Sequence, residues 1–146
     1  MPPVFPLEWE PLARTGRYRH MARRDAAVWE RWLDKYGGGF EAVAYDVALG
    51  GILPTDPAAT DAQRVGWQYA TALKIDALVR TPAYWLVLEV RPESSVSAVG
   101  AALVYRLMLQ RERLTALPVR AGLVCETLHP DIAWALTALT LAAFVV

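Results

Sequence analysis

The stretch Lys74-Ile75-Asp76-Ala77-Leu78-Val79-Arg80-Thr81-Pro82-Ala83-Tyr84-Trp85-Leu86-Val87-Leu88-Glu89-Val90-Arg91 decides how this chain is read. Two apolar runs flank Thr81-Pro82-Ala83-Tyr84, a four-residue turn with proline in its second place. Residues 75–80 are expected as one strand and 85–90 as the returning one. The second run is apolar almost throughout and is therefore expected at the centre of a sheet. With this turn Arg80 faces Trp85 and, counting back, Asp76 faces Glu89. Directly opposed residues of an antiparallel pair share a face, with Cβ atoms roughly 5 Å apart. Arg91, two residues beyond Glu89, projects from that same face.

Two carboxylates opposed between apolar strands repel each other. Either one pKa rises or a cation sits between them. Mg²⁺ or Mn²⁺ suits such a pair, because hard cations take carboxylate and carbonyl oxygens and keep several waters. A metal beside a fixed positive charge is what phosphodiester hydrolysis requires. Two plainer readings stand beside this one: a solvent-facing pair with nothing bound, and an Arg91 salt bridge to one or both acids that fills the cation's place.

Working outward, residues 24–36 read as a helix with Val28, Trp29, Trp32, Leu33 and Tyr36 at helical spacing and Asp25 as N-cap. Residues 41–49 alternate as a strand, Val43, Tyr45, Val47 and Leu49 on one face, Ala42, Ala44, Asp46 and Ala48 on the other. A second helix is expected over 56–73 with Val65, Tyr69, Ala72 and Leu73 on one side. Ser94-Ser95 caps a long helix over 96–110. A strand at 119–126, a helix at 131–141 and a terminal strand at 143–146 complete the order α-β-α-β-β-α-β-α-β. This is an α/β chain, a mixed β-sheet flanked by helices, in a single domain over residues 1–146. Residues 1–16, with Pro2, Pro3, Pro6 and Pro11, read as an extended N-terminal arm. Phe5 and Trp9 in an exposed arm suit docking onto a second copy or another protein.

The chain has 146 residues, with 15 Lys plus Arg against 15 Asp plus Glu. That neutrality argues against clamping nucleic acid by overall charge, yet Arg14, Arg17, Arg19, Arg23 and Arg24 gather near the start with no acid among them. The single cysteine, Cys125, lies in an apolar run, which fits a reducing cytoplasm. The N-terminus has no basic and apolar regions of the signal-peptide kind. The uncharged run 132–146 is short of the ~20 residues a membrane helix needs, so no membrane partner is expected. His20 and His129 lack metal-ligand spacing, and no Gly-rich phosphate loop or Gly-x-Ser-x-Gly occurs.

The pattern Lys74 to Val79, then Trp85 to Pro92, then Ser97 to Arg106 resembles the core of the PD-(D/E)XK nucleases. The stretches Arg17 to Met21, Val28 to Arg31 and Tyr45 to Val47 are similar to small phage-type members of uncharacterised function. The resemblance implies a restriction-endonuclease-like αβββαβ core and Mg²⁺- or Mn²⁺-dependent cleavage of DNA. It implies Asp76 and Glu89 as metal ligands and catalytic residues, with Arg91 in the place of the usual lysine. Glu30 stands as a candidate for the acid often found on the first helix. Asp46, at a strand end before Gly50-Gly51, is a turn cap or a third site carboxylate. Ser95 and Tyr105 are candidate substrate-binding residues, the first otherwise a helix cap and the second otherwise core. The departures are Arg91 and Ala101, the latter where a glutamine is frequent. Arginine holds phosphate bidentately but cannot give up a proton. The alternative is therefore a catalytically inactive pseudo-nuclease serving as a binding or assembly module of phage origin.

Overall fold

The computed structural model describes residues 5–146. One five-stranded sheet is built from β1 (Ala42–Leu49), β2 (Leu73–Arg80), β3 (Trp85–Val90), β4 (Val119–Cys125) and β5 (Ala142–Val145), in that order across the sheet. The β1–β2 and β2–β3 pairs are antiparallel, and β3–β4 and β4–β5 are parallel. The helices are α1 (Arg23–Tyr36), α2 (Asp61–Thr71), α3 (Val96–Glu112) and α4 (Pro130–Ala138). The chain is thus a single α/β domain with a mixed sheet flanked by helices. No helix among the described residues is long and apolar enough to cross a membrane.

β3 is the middle strand and all six of its residues are buried. This follows from its run of apolar residues, broken only by Glu89, since each of its faces meets a helical layer. On one face α3 and α4 contribute Ala98, Val99, Ala102, Leu109 and Leu136 against Leu78, Val87 and Leu123. On the other, α1 sets Val28, Trp29, Trp32 and Leu33 against Val79, Leu88 and Val90. The spacing of those four α1 residues makes one apolar stripe, which is why the helix forms where it does. Trp29 and Trp32 stack with centroids 4.8 Å apart, and Trp29 Nε1 donates to Tyr45 Oη at 2.9 Å.

Four expectations need correction. α1 starts two residues before Asp25, with Ala22 as an N-cap that makes no side-chain cap, so Asp25 lies in the first turn. α2 is shorter than the expected 56–73 because Thr60, not Asp56, caps it, in a reciprocal capping box with Gln63. Its apolar side is not a core face: Gln68 is its only buried residue, while Val65, Trp67 and Tyr69 are exposed. The arm is not free either. Glu10 exchanges both backbone hydrogen bonds with Val43, at 2.8 and 2.9 Å, which covers the β1 edge. Trp9 packs edge-on against Trp85 at 5.1 Å with the Arg80 guanidinium over its ring, and Phe5 packs on Tyr69.

The even alternation read for β1 also breaks. Val43 and Tyr45 join the α1 layer, but Val47 and Leu49 join the α3 layer. The cause is Asp46, whose φ of 50° is left-handed and turns the strand over. At that rung the β1–β2 ladder skips a pair, running from Tyr45↔Ala77 to Val47↔Ile75.

Candidate active site

The turn behaves as its sequence implies. Thr81 N–H donates to Tyr84 O at 2.9 Å, and Arg80 pairs with Trp85. The ladder runs back to Ala77↔Leu88 and stops one pair short of Asp76 and Glu89. Beyond that point a side chain replaces the ladder: Asp76 Oδ2 accepts the Val90 N–H at 2.9 Å. Past that rung the Arg91 guanidinium lies against both carboxylates. Arg91 Nη1 donates to Asp76 Oδ2 at 3.0 Å and to its neighbour Val90 O at 2.8 Å, and Nη2 is in contact with Glu89 Oε1.

The three side chains differ in exposure, and that orders their electrostatics. Glu89 is 1% exposed, Asp76 15% and Arg91 42%. Glu89 pairs with Arg91, and its carboxyl lies against that of Asp76. Burial, and then the Asp76 charge, push the Glu89 carboxyl up to about 8 against the pull of Arg91. Burial also raises Asp76, opposed by the Val90 N–H and by Arg91. Tyr105 of α3 borders the pair. Its burial first, then the charges of Glu89 and Asp76, push its phenol up.

Asp76, Glu89, Arg91 and Tyr105 are thus brought together, while Glu30 and Asp46 make their contacts elsewhere. Ser95 caps α3, its Oγ accepting the Ala98 N–H at 3.1 Å. Glu30 is not in the site: it accepts from Arg14 at 2.6 Å and from Tyr18 Oη at 3.1 Å, and Arg14 holds its carboxyl below the usual range. The acid of α1 whose charge reaches Asp76, Glu89 and Arg91 is Asp25. At about 100° per residue, Glu30 is turned roughly 140° round the helix from Asp25. Reading Asp25 as a cap hid it; an acid in a helix's first turn is the signal that finds it. Asp46 is not a third site carboxylate, because its left-handed backbone turns its side chain to Tyr69 Oη at 2.6 Å and His20 Nε2 at 3.0 Å.

The basic run near the start is only partly spent on internal pairs. Arg14 pairs with Glu30 and Asp34, and Arg19 with Glu8. Arg17, Arg23 and Arg24 have no carboxylate partner among the described residues. Arg17 and Arg23 line a cavity of about 600 Å³ at the start of α1, beside Asp25 in sequence.

As for a metal, no group of three or more His, Cys, Asp or Glu side chains among the described residues is gathered to hold one. The donors present past the last rung are two carboxylates, one of them buried. That set fits a hard divalent cation that keeps several waters, provided Arg91 moves out. Compared with protein-family models, with curated proteins and with solved structures, the chain matches none.

Proposed function

We propose that the chain is a nuclease-like protein of the PD-(D/E)XK type, with Asp76 and Glu89 as ligands for Mg²⁺ or Mn²⁺ and DNA phosphodiester hydrolysis as its reaction. The order α1-β1-β2-β3-α3-β4, with α2 inserted after β1, is compatible with the αβββαβ core of that type. The observation that carries the proposal is Glu89, an acid 1% exposed, held against a second acid and countered by the Arg91 guanidinium. Burying two acids together costs stability, and perturbed acids of this kind concentrate at functional sites.

Asp76 and Glu89 would hold the metal, which would supply an activated water and positive charge beside the phosphate. The protein's own residues do the rest. Asp76 is fixed by the Val90 N–H, so its second oxygen has a set direction. Arg91, nearly half exposed, swings from the carboxylates to the phosphate, where its planar fork binds two oxygens. Tyr105 closes the α3 side with a protonated phenol. Arg17, Arg23 and Arg24 supply backbone phosphate contacts from the start of α1.

A second reading has its own observation. Arg91 already supplies a positive charge to both acids. In a catalytically inactive pseudo-nuclease kept as a binding or assembly module, that triad is the final state and no cation enters. Cleavage assays on single- and double-stranded DNA with Mg²⁺ and Mn²⁺ separate the two. Cleavage lost in Asp76→Ala supports the nuclease; no cleavage of either substrate by the folded wild type sinks it.

A further inference from the structure

α2 stands outside both helical layers of the sheet: no residue of it belongs to either apolar cluster, and Gln68 is its only buried residue. At about 100° per residue, Gly66 and Ala70 lie roughly 160° round the helix from Gln68, on the side turned to solvent. A helix of 11 residues with a glycine at its centre is marginal in water, and what holds such a helix is the packing of an apolar face. That face is present. Trp67 is 53% exposed, Leu53 48% and Ile52 63%. They adjoin, because Thr71 Oγ1 donates to Trp67 O at 2.9 Å and accepts the Ile52 N–H at 2.7 Å. Trp67, with Pro54, Ala59, Gly66 and Ala70, walls a cavity of about 480 Å³, and a Cβ added at Gly66 would meet nothing within 4 Å. The one charged residue of the wall is the exposed Asp56. One of its oxygens accepts the Ala58 N–H at 2.8 Å, which leaves the other for a further donor. The Arg64 guanidinium is turned back on the loop, to Ala59 O at 3.3 Å and Asp56 O at 3.1 Å.

We propose that this face pairs with the same face of a second copy about a two-fold axis, the Trp67 indole of each copy entering the cavity of the other. Two features single out a second copy. The first is a chemical match. The cavity takes an apolar body with one hydrogen-bond donor, and the side chain standing at its rim is an indole, an apolar body with one N–H. Across the axis that N–H donates to Asp56. A knob and its hole on one patch are what an isologous contact requires, since the patch must complement itself. The second feature is size. Ile52, Leu53 and Trp67, with the small residues of the cavity wall, leave on the order of 600 Å² open, at the top of the range for a monomer's largest apolar patch and near the roughly 800 Å² that each partner gives to a standard interface. The pairing does not draw on Asp76, Glu89 or Arg91, and the proposal stands independently of any nuclease activity.

The test is sedimentation velocity of the full chain from about 1 to 200 µM. We expect a reversible monomer–dimer equilibrium within that range. Trp67→Ala should weaken it at least about thirtyfold, as truncation of a central aromatic anchor does. Gly66→Arg fills the cavity and sets a charge against its copy. The position is open within one chain and glycine is the poorer helix former, so this variant should fold as well as wild type and stay monomeric. It serves if Trp67→Ala does not fold. Asp56→Asn, which keeps the acceptor for Ala58, should weaken pairing by about three- to tenfold in wild type and have no effect beside Trp67→Phe, whose ring lacks the N–H. An equal effect in both backgrounds would overturn the match of indole to Asp56. A chain monomeric throughout the range overturns the proposal and leaves the face to a different partner. So does dimerisation of folded Trp67→Ala and Gly66→Arg like that of wild type, which would place the contact on another face. Growth beyond a dimer overturns it equally, since an isologous contact closes at two copies.

Discussion

At the scale of single residues, the balance between Glu89 and Arg91 makes the sharpest predictions. The Glu89 carboxyl is raised to about 8 in the folded chain, against about 4.3 when unfolded. Between those values the folded state holds a proton that the unfolded state has lost. Its contribution to stability is fully present below about 4.3 and is lost as pH rises through about 8, at a slope of at most about 1.4 kcal/mol per pH unit. Asp76, also raised, acts in the same direction. Glu89→Gln should therefore flatten the pH dependence and gain on wild type at pH 8 to 9, as read by denaturant melts across the range. Equal slopes in the two proteins would mean that Glu89 is ionised throughout. Arg91 gives a second prediction. Arg91→Lys keeps the charge on a more compact group that positions water better, so Mg²⁺-dependent cleavage should rise by about tenfold or more. A well-cleaving wild type that Arg91→Lys impairs would make the arginine an adapted catalytic residue. Asp76, Glu89 and Arg91 were legible in the sequence because one turn length fixes their register. Which of the two Arg91 geometries holds was not legible, since the choice depends on side-chain reach past the last paired rung. Asp25 was missed for a smaller reason: a shift of two residues in a helix start changes a cap into a first-turn acid.

At the scale of elements, the apolar runs told which strand is central and which face of α1 is buried, and both follow from solvent exclusion alone. Trp29→Ala removes a stacked ring, a hydrogen bond to Tyr45 and a buried volume together. Unfolding should become easier by about 3–5 kcal/mol, with the site chemistry unchanged in whatever remains folded. Ser95→Ala separates capping from substrate binding. It should lower stability by about 1 kcal/mol through the lost cap on Ala98 and leave any cleavage per folded molecule alone. A large loss of cleavage at full folding would return Ser95 to the site. What the pattern could not reveal was the turnover of β1 at Asp46. Alternation assumes an extended backbone at every residue, and a single left-handed aspartate breaks the period without leaving a glycine as its mark. The periodicity of α2 misled for the opposite reason: an apolar stripe was present, but no layer of the sheet reaches it.

At the scale of the whole molecule, a five-stranded sheet with helices on both faces brings the start of α1, the end of β3 and the middle of α3 to one place. No local pattern shows that meeting, because it is set by strand order. The arm belongs to this scale too. It covers the β1 edge through Glu10 and buttresses Trp85 through Trp9. Deleting residues 1–16 should lower the melting temperature and promote edge-to-edge association, seen as a rise in light scattering. A truncated chain as stable and monodisperse as the full one would show the arm to be dispensable to the fold. The central claim is that the Asp76–Glu89 pair is a cation site that Arg91 fills when no metal is bound. Its most direct test is calorimetric titration of Mn²⁺ into wild type, Arg91→Ala and Asp76→Asn. The account predicts one Mn²⁺ bound by wild type, tighter binding by Arg91→Ala once the competing guanidinium is gone, and none by Asp76→Asn. Absence of Mn²⁺ binding in both wild type and a folded Arg91→Ala would contradict it.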